Sequence, residues 1–104
     1  MKDIDYEAAK AAIADASTPV IVDMHADWCR FCKTTRPHLE RISEERGDAM
    51  RIVGIDTDEH PDAFEGLGAK TLPTIILFVG GTEVARRGSG DYEGLTAWLA
   101  EHGV

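Results

Sequence analysis

The spacing of apolar residues changes along the chain, and these changes predict the order of helices and strands. Residues 5–16 have a helical period and predict an amphipathic helix capped by Asp5 or Asp3. The apolar positions of this segment are Tyr6, Ala9, Ile13 and Ala16. Residues 20–24 are almost wholly apolar, which predicts a strand that is covered on both faces.

The same pattern predicts the elements that follow. They are a helix that follows Cys29 and extends to residue 45, a strand at 50–55, a short helix at 61–67, strands at 74–79 and 83–87, and a helix at 92–101. Pro37 lies inside the first of these helices and predicts a kink. Gly80 and Gly81 separate the last two strands and predict a hairpin turn. The last helix has an apolar face made of Tyr92, Leu95, Trp98 and Leu99.

The resulting order, α-β-α-β-α-β-β-α, is typical of an α/β fold with a mixed four-stranded sheet flanked by four helices. Helices separate the first three strands, so these strands are expected to pair in parallel, while the last two form an antiparallel hairpin. A chain of 104 residues has room for one hydrophobic core. We therefore expect residues 1–104 to form a single domain.

Composition and charge argue against several classes of protein. The chain is 43% hydrophobic and 29% charged, which is typical of soluble globular domains. Its formal charge of −8 argues against binding to nucleic acid or to anionic membrane surfaces. The N-terminus lacks the basic and then apolar order of a signal peptide, and no apolar run approaches the roughly 20 residues of a membrane span. These features predict a cytoplasmic location, where a disulfide is usually catalytic or transient.

The residues that carry chemistry lie between the first predicted strand and the following helix. Residues 28–33, Trp-Cys-Arg-Phe-Cys-Lys, contain both cysteines of the chain, Cys29 and Cys32. Free N–H groups and the positive end of the dipole at a helix N-terminus stabilise a thiolate, which is the reactive form of cysteine. Two cysteines three apart in a first helical turn are close enough to form a disulfide. A Cys-x-x-Cys pair beside a strand–helix–strand pattern predicts a redox-active dithiol.

The position of each cysteine predicts its role. Cys29 starts the helix and is expected to attack a substrate disulfide, whereas Cys32 lies one turn further in and is expected to resolve the mixed disulfide. The alternative is a zinc site, which normally needs a second cysteine pair or a histidine pair. His25 and His38 are the nearby histidines, but His38 lies beyond Pro37, and we predict no bound metal.

Several motifs in the correct order resemble those of the thioredoxin family. Residues 22–33, V-D-M-H-A-D-W-C-R-F-C-K, are similar to the V-D-F-W-A-x-W-C-G-P-C-K of that family. Further matches are Pro37 in the active-site helix, Val53-Gly54-Ile55-Asp56 in a strand that ends in aspartate, Leu72-Pro73-Thr74 for the family's I-P-T, and Gly88 beside the substrate groove. The resemblance covers the chain from about residue 20. It implies a thioredoxin fold and a thiol–disulfide oxidoreductase that reduces protein disulfides.

The resemblance also assigns roles to residues outside the cysteine pair. It implies that Asp23, a buried carboxyl group that should have a raised pKa, shuttles the proton of Cys32. It implies a cis peptide bond before Pro73, with the backbone of Leu72 pairing with an extended substrate strand. The implied substrate-binding residues are Trp28, Leu72, Pro73 and Gly88.

The resemblance implies no bound cofactor. Electrons would come from a flavin-containing thioredoxin reductase, which carries FAD and uses NADPH, or from another donor. The implied partners are this reductase and disulfide-containing client proteins. We expect a cytoplasmic monomer that takes part in electron transport and in cell redox homeostasis.

The sequence departs from the family pattern around the cysteines. Arg30-Phe31 replaces Gly-Pro, and a cation at this position is expected to stabilise the thiolate of Cys29 and to make the disulfide more oxidising. His25 stands where the family usually has an aromatic residue and is a further candidate for tuning the site. Ile52 takes the place of a lysine that lies near the buried aspartate in many members.

Two further expectations concern the N-terminus and the surface of the active-site helix. The N-terminus is too short for the family's usual first strand, so we expect four strands, with residues 50–55 at or near a sheet edge. Lys33, Arg36 and Arg41 are expected to be solvated helix positions. The departures leave two alternatives open: a glutaredoxin-like or more oxidising specialist, and a non-catalytic binding or zinc-holding module on the same scaffold.

Overall fold

The computed structural model of the protein describes residues 1–15 and 17–104. These residues form five strands and four helices: β1 (Lys2–Asp3), α1 (Tyr6–Ala14), β2 (Val20–His25), α2 (Arg30–Arg46), β3 (Arg51–Asp56), α3 (Pro61–Gly66), β4 (Thr74–Val79), β5 (Thr82–Arg87) and α4 (Tyr92–Glu101). The elements that the sequence pattern predicts are confirmed with small changes at their ends. The predicted apolar position Ala16 lies outside the described residues.

The strands form one mixed sheet in the order β1-β3-β2-β4-β5. β1 and β2 run parallel to β3, whereas β4 runs antiparallel to both β2 and β5. The expectation that the strands at 20–24, 50–55 and 74–79 are all parallel is therefore wrong for the last of them. The connection leaves the sheet at Asp56, opposite His25, and β4 begins at Thr74, opposite Met24, so it returns the chain at the same end of β2 and does not cross back.

The predicted fold class is confirmed, but the number of strands is five and not four. The additional strand, β1, has only two residues and pairs with β3 in the register Lys2↔Val53 and Asp3↔Gly54. The backbone N–H of Ile4 extends the ladder by donating to the carbonyl of Gly54 at 2.8 Å. So short a segment has no apolar period that a sequence pattern could show. β3 is consequently next to the edge, as expected.

Local sequence signals explain where the helices begin. Asp5 caps α1 by accepting the N–H of Ala8 at 2.7 Å, as predicted, and Asp91 caps α4 by accepting the N–H of Gly94 at 2.8 Å. Pro37 lies inside α2, which continues to Arg46. Such caps satisfy N–H groups that have no partner within the helix.

The alternation of side chains along β2 divides the core into two layers. On one face, Ile21 packs with Leu39 and Ile42 of α2 and with Leu95, Trp98 and Leu99 of α4. On the other face, Val20, Val22 and Met24 pack with Ala9 of α1 and Ala63 of α3. Because residues i and i+2 of a strand share a face, Asp23 and His25 lie on the α2 side of the sheet with Ile21. This places two polar side chains beneath the start of α2.

Candidate redox active site

The cysteine pair lies where β2 passes into α2. Cys29 and Cys32 form a disulfide, with their Cα atoms 5.3 Å apart. Cys29 is the N-cap residue of α2, and its Sγ accepts the backbone N–H of Cys32 at 3.2 Å. The two residues are almost equally exposed, at 5% and 4%. Their surroundings rather than their accessibility therefore distinguish them.

Asp23 is a buried carboxyl group in the central strand of the sheet. It is 1% exposed, and its Oδ1 atom has no hydrogen-bond partner among the described residues. Burial raises the pKa of Asp23 to about 6, while the positive charges of His25 and Arg36 act in the opposite direction. A carboxyl group of this kind changes protonation close to neutral pH. This agrees with the raised pKa expected from its place in an apolar strand.

Three ionisable side chains from different elements meet beside Asp23, and we call them the Asp3–His25–Arg36 cluster. Oδ1 of Asp3 accepts from His25 Nε2 and from Arg36 Nη1, both at 2.9 Å. The two nitrogens lie 3.3 Å from each other. Since a carboxylate only accepts, the bond to Asp3 puts a proton on Nε2 of His25, and both nitrogens share one acceptor.

The cluster is held tightly enough to change the pKa of Asp3. Partial burial raises the pKa of Asp3, but hydrogen bonds from Arg36 and His25 outweigh this effect and hold the pKa below its ordinary value. Asp3 therefore remains an anion and can hold the side chains of Arg36 and His25 together. Next to it, a cavity of about 250 Å³ is lined by Asp3, His25, Asp27, Cys32, Lys33 and Arg36.

Two members of the cluster, Asp3 and Arg36, are functional candidates that the sequence pattern misses. Arg36 is not the solvated helix position that was expected, because Asp3 binds it and most of its side chain is covered. Asp3 belongs to a strand that was not predicted. The available signal was two departures from the family pattern near the buried carboxyl group. His25 replaces an aromatic residue, and Ile52 replaces a lysine. That combination indicates a missing countercharge but does not say which residue supplies it.

On the other side of the cysteine pair the surface is open and apolar. Trp28 is 71% exposed and Phe31 is 61% exposed. The indole N–H of Trp28 donates to Asp58 Oδ1 at 3.3 Å, which fixes the ring over a cavity of about 290 Å³. Leu72 lines this cavity and also packs against the cysteines. Arg30 is exposed at the first position of α2.

The four residues that the resemblance places at a substrate surface, Trp28, Leu72, Pro73 and Gly88, lie near one another. The Leu72–Pro73 peptide bond is cis, which confirms that prediction. Gly88 lies next to Pro73, since a Cβ atom added at Gly88 would be 3.9 Å from the Pro73 carbonyl oxygen. A larger cavity of about 550 Å³ near Met50 contains none of these residues.

Two features are absent from the described part of the chain. Among residues 1–15 and 17–104, no three His, Cys, Asp or Glu side chains are grouped so that they could hold a metal ion. In the same part of the chain, no helix is both long and apolar enough to cross a membrane.

Comparison with known proteins agrees with the fold and the cysteine site. The family model described as Thioredoxin matches residues 2–101. This chain belongs to the thioredoxin family. Thioredoxin from Acidithiobacillus ferridurans is 35% identical over 97 residues, which cover 92% of this chain and 90% of that protein. Thioredoxin 1 from Nostoc sp. is 32% identical over 75 residues, which cover 72% of this chain and 70% of that protein.

Solved thioredoxin structures have the same architecture. The structure of Malassezia sympodialis thioredoxin superimposes with a TM-score of 0.85 at 26% identity, covering 100% of this chain and 91% of the other. Fasciola hepatica thioredoxin gives a TM-score of 0.86 at 20% identity, covering 97% of each chain, and shows the fold alone. As a thioredoxin family member with a bonded Cys-x-x-Cys pair, the protein is a thiol–disulfide oxidoreductase whose redox centre is Cys29 and Cys32. Thioredoxins need no bound cofactor of their own.

Proposed function

We propose that the protein reduces disulfides of client proteins in two exchange steps. The thiolate of Cys29 attacks one sulfur of the client disulfide, forms a mixed disulfide and releases the other client sulfur as a thiolate. Cys32 then attacks Sγ of Cys29, releases the second client sulfur and closes the Cys29–Cys32 disulfide. Two electrons pass from the dithiol to the client, and the two thiol protons end on the client sulfurs.

One observation carries this assignment of roles: Cys29 caps α2 and its Sγ accepts the N–H of Cys32 at 3.2 Å. In the reduced protein the same N–H group and the positive end of the helix dipole favour a thiolate at Cys29. Cys32 has no such position, because it lies within the first turn and borders the polar cavity instead. Sγ of Cys29 is therefore suited to attack the client, and Sγ of Cys32 is suited to lose its proton to a base.

We propose that Asp23 is the base that accepts the thiol proton of Cys32. The carboxyl group lies on the α2 side of the sheet, has an unpaired oxygen, and has a pKa of about 6, so it is mostly ionised at pH 7 and able to accept a proton. Cys32 borders the 250 Å³ cavity together with His25, whose side chain lies on the same face of β2 as Asp23. We propose that water on this side of the sheet carries the proton from Cys32 to Asp23. Deprotonation by Asp23 then makes Cys32 a nucleophile at a pH below the pKa of an ordinary thiol.

We place the client on the open side of the pair. Trp28 and Phe31 offer exposed aromatic surface, and the backbone at Leu72 and Pro73, with Gly88 beside it, offers hydrogen-bonding groups to an extended segment of the client. Such a segment would bring its disulfide to Cys29. Arg30, Phe31 and His25 are the residues that we expect to tune the reactivity of the site.

Electron supply and location belong to the same proposal. We propose that a flavin-containing reductase that uses NADPH recycles the oxidised protein, and that the protein works as a cytoplasmic monomer, in one domain, in electron transport and redox homeostasis. NADPH consumption in a mixture of this protein, thioredoxin reductase and a disulfide client tests the donor. No consumption above that of the reductase and client alone would reject it.

The cysteine roles are tested by trapping. Cys32→Ser should accumulate mixed disulfides with clients, because attack by Cys29 continues while resolution cannot occur. The matched variant Cys29→Ser should trap nothing and should not reduce insulin in a turbidity assay with dithiothreitol. Mass spectrometry of the captured species identifies the bonded cysteine. If Cys29→Ser traps clients and Cys32→Ser does not, the two roles are reversed.

The exposed cation Arg30 favours the alternative of a more oxidising specialist within the same chemistry. The reduction potential, measured by equilibration with glutathione buffers, separates the two. A potential well above that of a thioredoxin measured alongside would support an oxidising role. A potential at or below it would support client reduction.

A further inference from the structure

A charged cluster lies against the one buried carboxyl group that the proposed mechanism uses. The Asp3–His25–Arg36 cluster combines residues from β1, β2 and α2. Asp3 and Arg36 have no part in the two exchange steps. The arrangement is nevertheless specific, because a single oxygen of Asp3 accepts from both neighbours at 2.9 Å.

A glycine makes room for this cluster next to Asp23. Gly54 of β3 is the direct cross-strand partner of both Asp3 and Asp23. A Cβ atom at Gly54 would collide with Oδ1 of Asp3 and would lie 3.2 Å from Arg36 Nη1 and 3.3 Å from His25 Nε2. The cluster therefore rests on the bare backbone of Gly54, one strand away from Asp23.

Arg36 is always charged, and its Nη1 is only 3.3 Å from Nε2 of His25. Both nitrogens donate to the same oxygen of Asp3, so neither holds the other in place without it. The carboxylate of Asp3 fixes both groups on the same side of the sheet. Without Asp3, the guanidinium group could move along its flexible stem into solvent, since its helix position borders the open cavity.

We propose that Asp3 is a positioning residue of the redox site, which holds Arg36 and His25 beside Asp23 and thereby controls the protonation of Asp23. The inference rests on the proposed proton-accepting role of Asp23 and extends it to the edge of the sheet. Neither Asp3 nor Arg36 touches a sulfur. Their effect passes through the charge that they keep next to the buried carboxyl group.

Three charged or ionisable groups act on the carboxyl group of Asp23: His25 of β2, Arg36 of α2 and Asp3 of β1. Asp27, in the loop after β2, and Cys32 and Lys33 of α2 line the neighbouring cavity with them. The cross-strand neighbours Gly54 on β3 and Ile75 on β4 carry no charge. In the oxidised protein Cys32 cannot titrate, so the cluster dominates the electrostatic surroundings of Asp23.

The test is the titration of Asp23 in the oxidised protein, followed through its side-chain carboxyl ¹³C resonance. Arg36→Gln removes a positive charge and should move the midpoint of Asp23 to higher pH by roughly half a unit, the size expected for one partly screened charge. Arg41→Gln is the matched control, because it removes the same charge from the same helix at a position that stacks on Tyr92. It should leave the midpoint almost unchanged.

Two substitutions of Asp3 separate positioning from simple charge. Asp3→Asn removes the negative charge but keeps an oxygen that can accept from Arg36, so the midpoint of Asp23 should fall. Asp3→Ala removes the acceptor as well and releases Arg36, so the midpoint should lie above that of Asp3→Asn. Equal midpoints in the two variants, or an equal response to Arg36→Gln and Arg41→Gln, would overturn the proposal. Amide spectra of each variant verify that the fold is retained.

A kinetic readout keeps this inference distinct from the proposed role of Asp23. The pH profile of mixed-disulfide resolution should move in the same direction as the Asp23 midpoint in each variant. If the midpoints move as stated and the profiles do not, the control of Asp23 by the cluster stands, and Asp23 is not the base for Cys32.

Discussion

The two cysteines have nearly the same exposure but border opposite kinds of surface. Around Cys29 the surface is open and apolar, with Trp28 and Phe31 directed to solvent. Behind Cys32 lies a recess lined by charged side chains, with the buried Asp23 on the same side of the sheet. The open side is suited to contact with another protein, and the recessed side is suited to proton movement.

The two sides also differ in how the chain builds them. On the open side, the exposed Trp28 and Phe31 and both cysteines come from one strand–helix junction, to which Leu72, Pro73 and Gly88 are added from later in the chain. The recessed side needs Asp3, His25 and Arg36. Along the chain, His25 is 22 residues and Arg36 is 33 residues away from Asp3. The comparison teaches that client contact and proton transfer can be altered separately, because different side chains supply them.

The largest effect is expected on the recessed side. Asp23→Asn should slow resolution of the mixed disulfide about 10² fold at pH 6–7, the lower range for a positioned general base. The effect should shrink at pH 9, where Cys32 ionises unaided. Stopped-flow measurement on a preformed Cys29 mixed disulfide gives the rate. The control Asp58→Asn neutralises a carboxyl group on the open side. Equal slowing of resolution by Asp23→Asn at both pH values would contradict proton transfer.

The substitution Asp23→Asn should also stabilise the oxidised protein. A pKa raised from 3.8 to about 6 means that the folded state favours protonated Asp23. The contribution of protonated Asp23 to the stability of the native protein is therefore complete below pH 4 and is lost as pH rises through 6. The loss corresponds to about 3 kcal/mol at about 1.4 kcal/mol per pKa unit.

Asp23→Asn should therefore raise the free energy of unfolding by about 1–3 kcal/mol at pH 8, since the buried amide has a desolvation cost of its own. The gain should disappear below pH 4. Urea denaturation at several pH values measures both. A gain that does not depend on pH would show that Asp23 is not the titrating group.

A smaller effect is expected on the open side. Phe31→Ala or Trp28→Ala should raise KM for a protein client by roughly 3–10 fold, because each removes aromatic contact surface. Activity toward a small aromatic disulfide should change little. Val84→Ala is the matched control, as Val84 is an exposed apolar residue on β5. Equal losses with both substrates would mean that these residues act on Cys29 itself.

The smallest effect concerns the cation next to Cys29. Arg30→Gly should lower the reduction potential by roughly 10–50 mV, because Arg30 stabilises the thiolate and not the disulfide. Solvent screening of this exposed side chain favours the lower end of that range. The reaction of Cys29 with iodoacetamide should also require a higher pH. If neither quantity changes, Arg30-Phe31 affects the choice of partner and not the redox chemistry.

The strand–helix junction of the cysteines and most of the fold were predictable because their signals are local, whereas Leu72, Pro73 and Gly88 were placed by the family resemblance. The apolar run of β2, the cap at Asp5 and the glycines of the β4–β5 hairpin each predict structure from neighbouring residues. The antiparallel direction of β4 was missed because it depends on the end of the sheet at which the segment around α3 returns, and no apolar pattern shows that. The roles of Asp3 and Arg36 were missed because their contact arises only when β1 pairs with β3, and a two-residue strand leaves no pattern.

The brevity of β1 also bears on motion. Strand segments held by few hydrogen bonds open locally at a free energy far below that of global unfolding. Each opening of β1 would carry Asp3 away from Arg36, so the electrostatic surroundings of the buried carboxyl group would switch between two populations. Exchange of the Ile4 amide, which donates to Gly54, reports the fraction of time spent in each. The electrostatic surroundings of the redox site would then change at the rate at which β1 opens and closes.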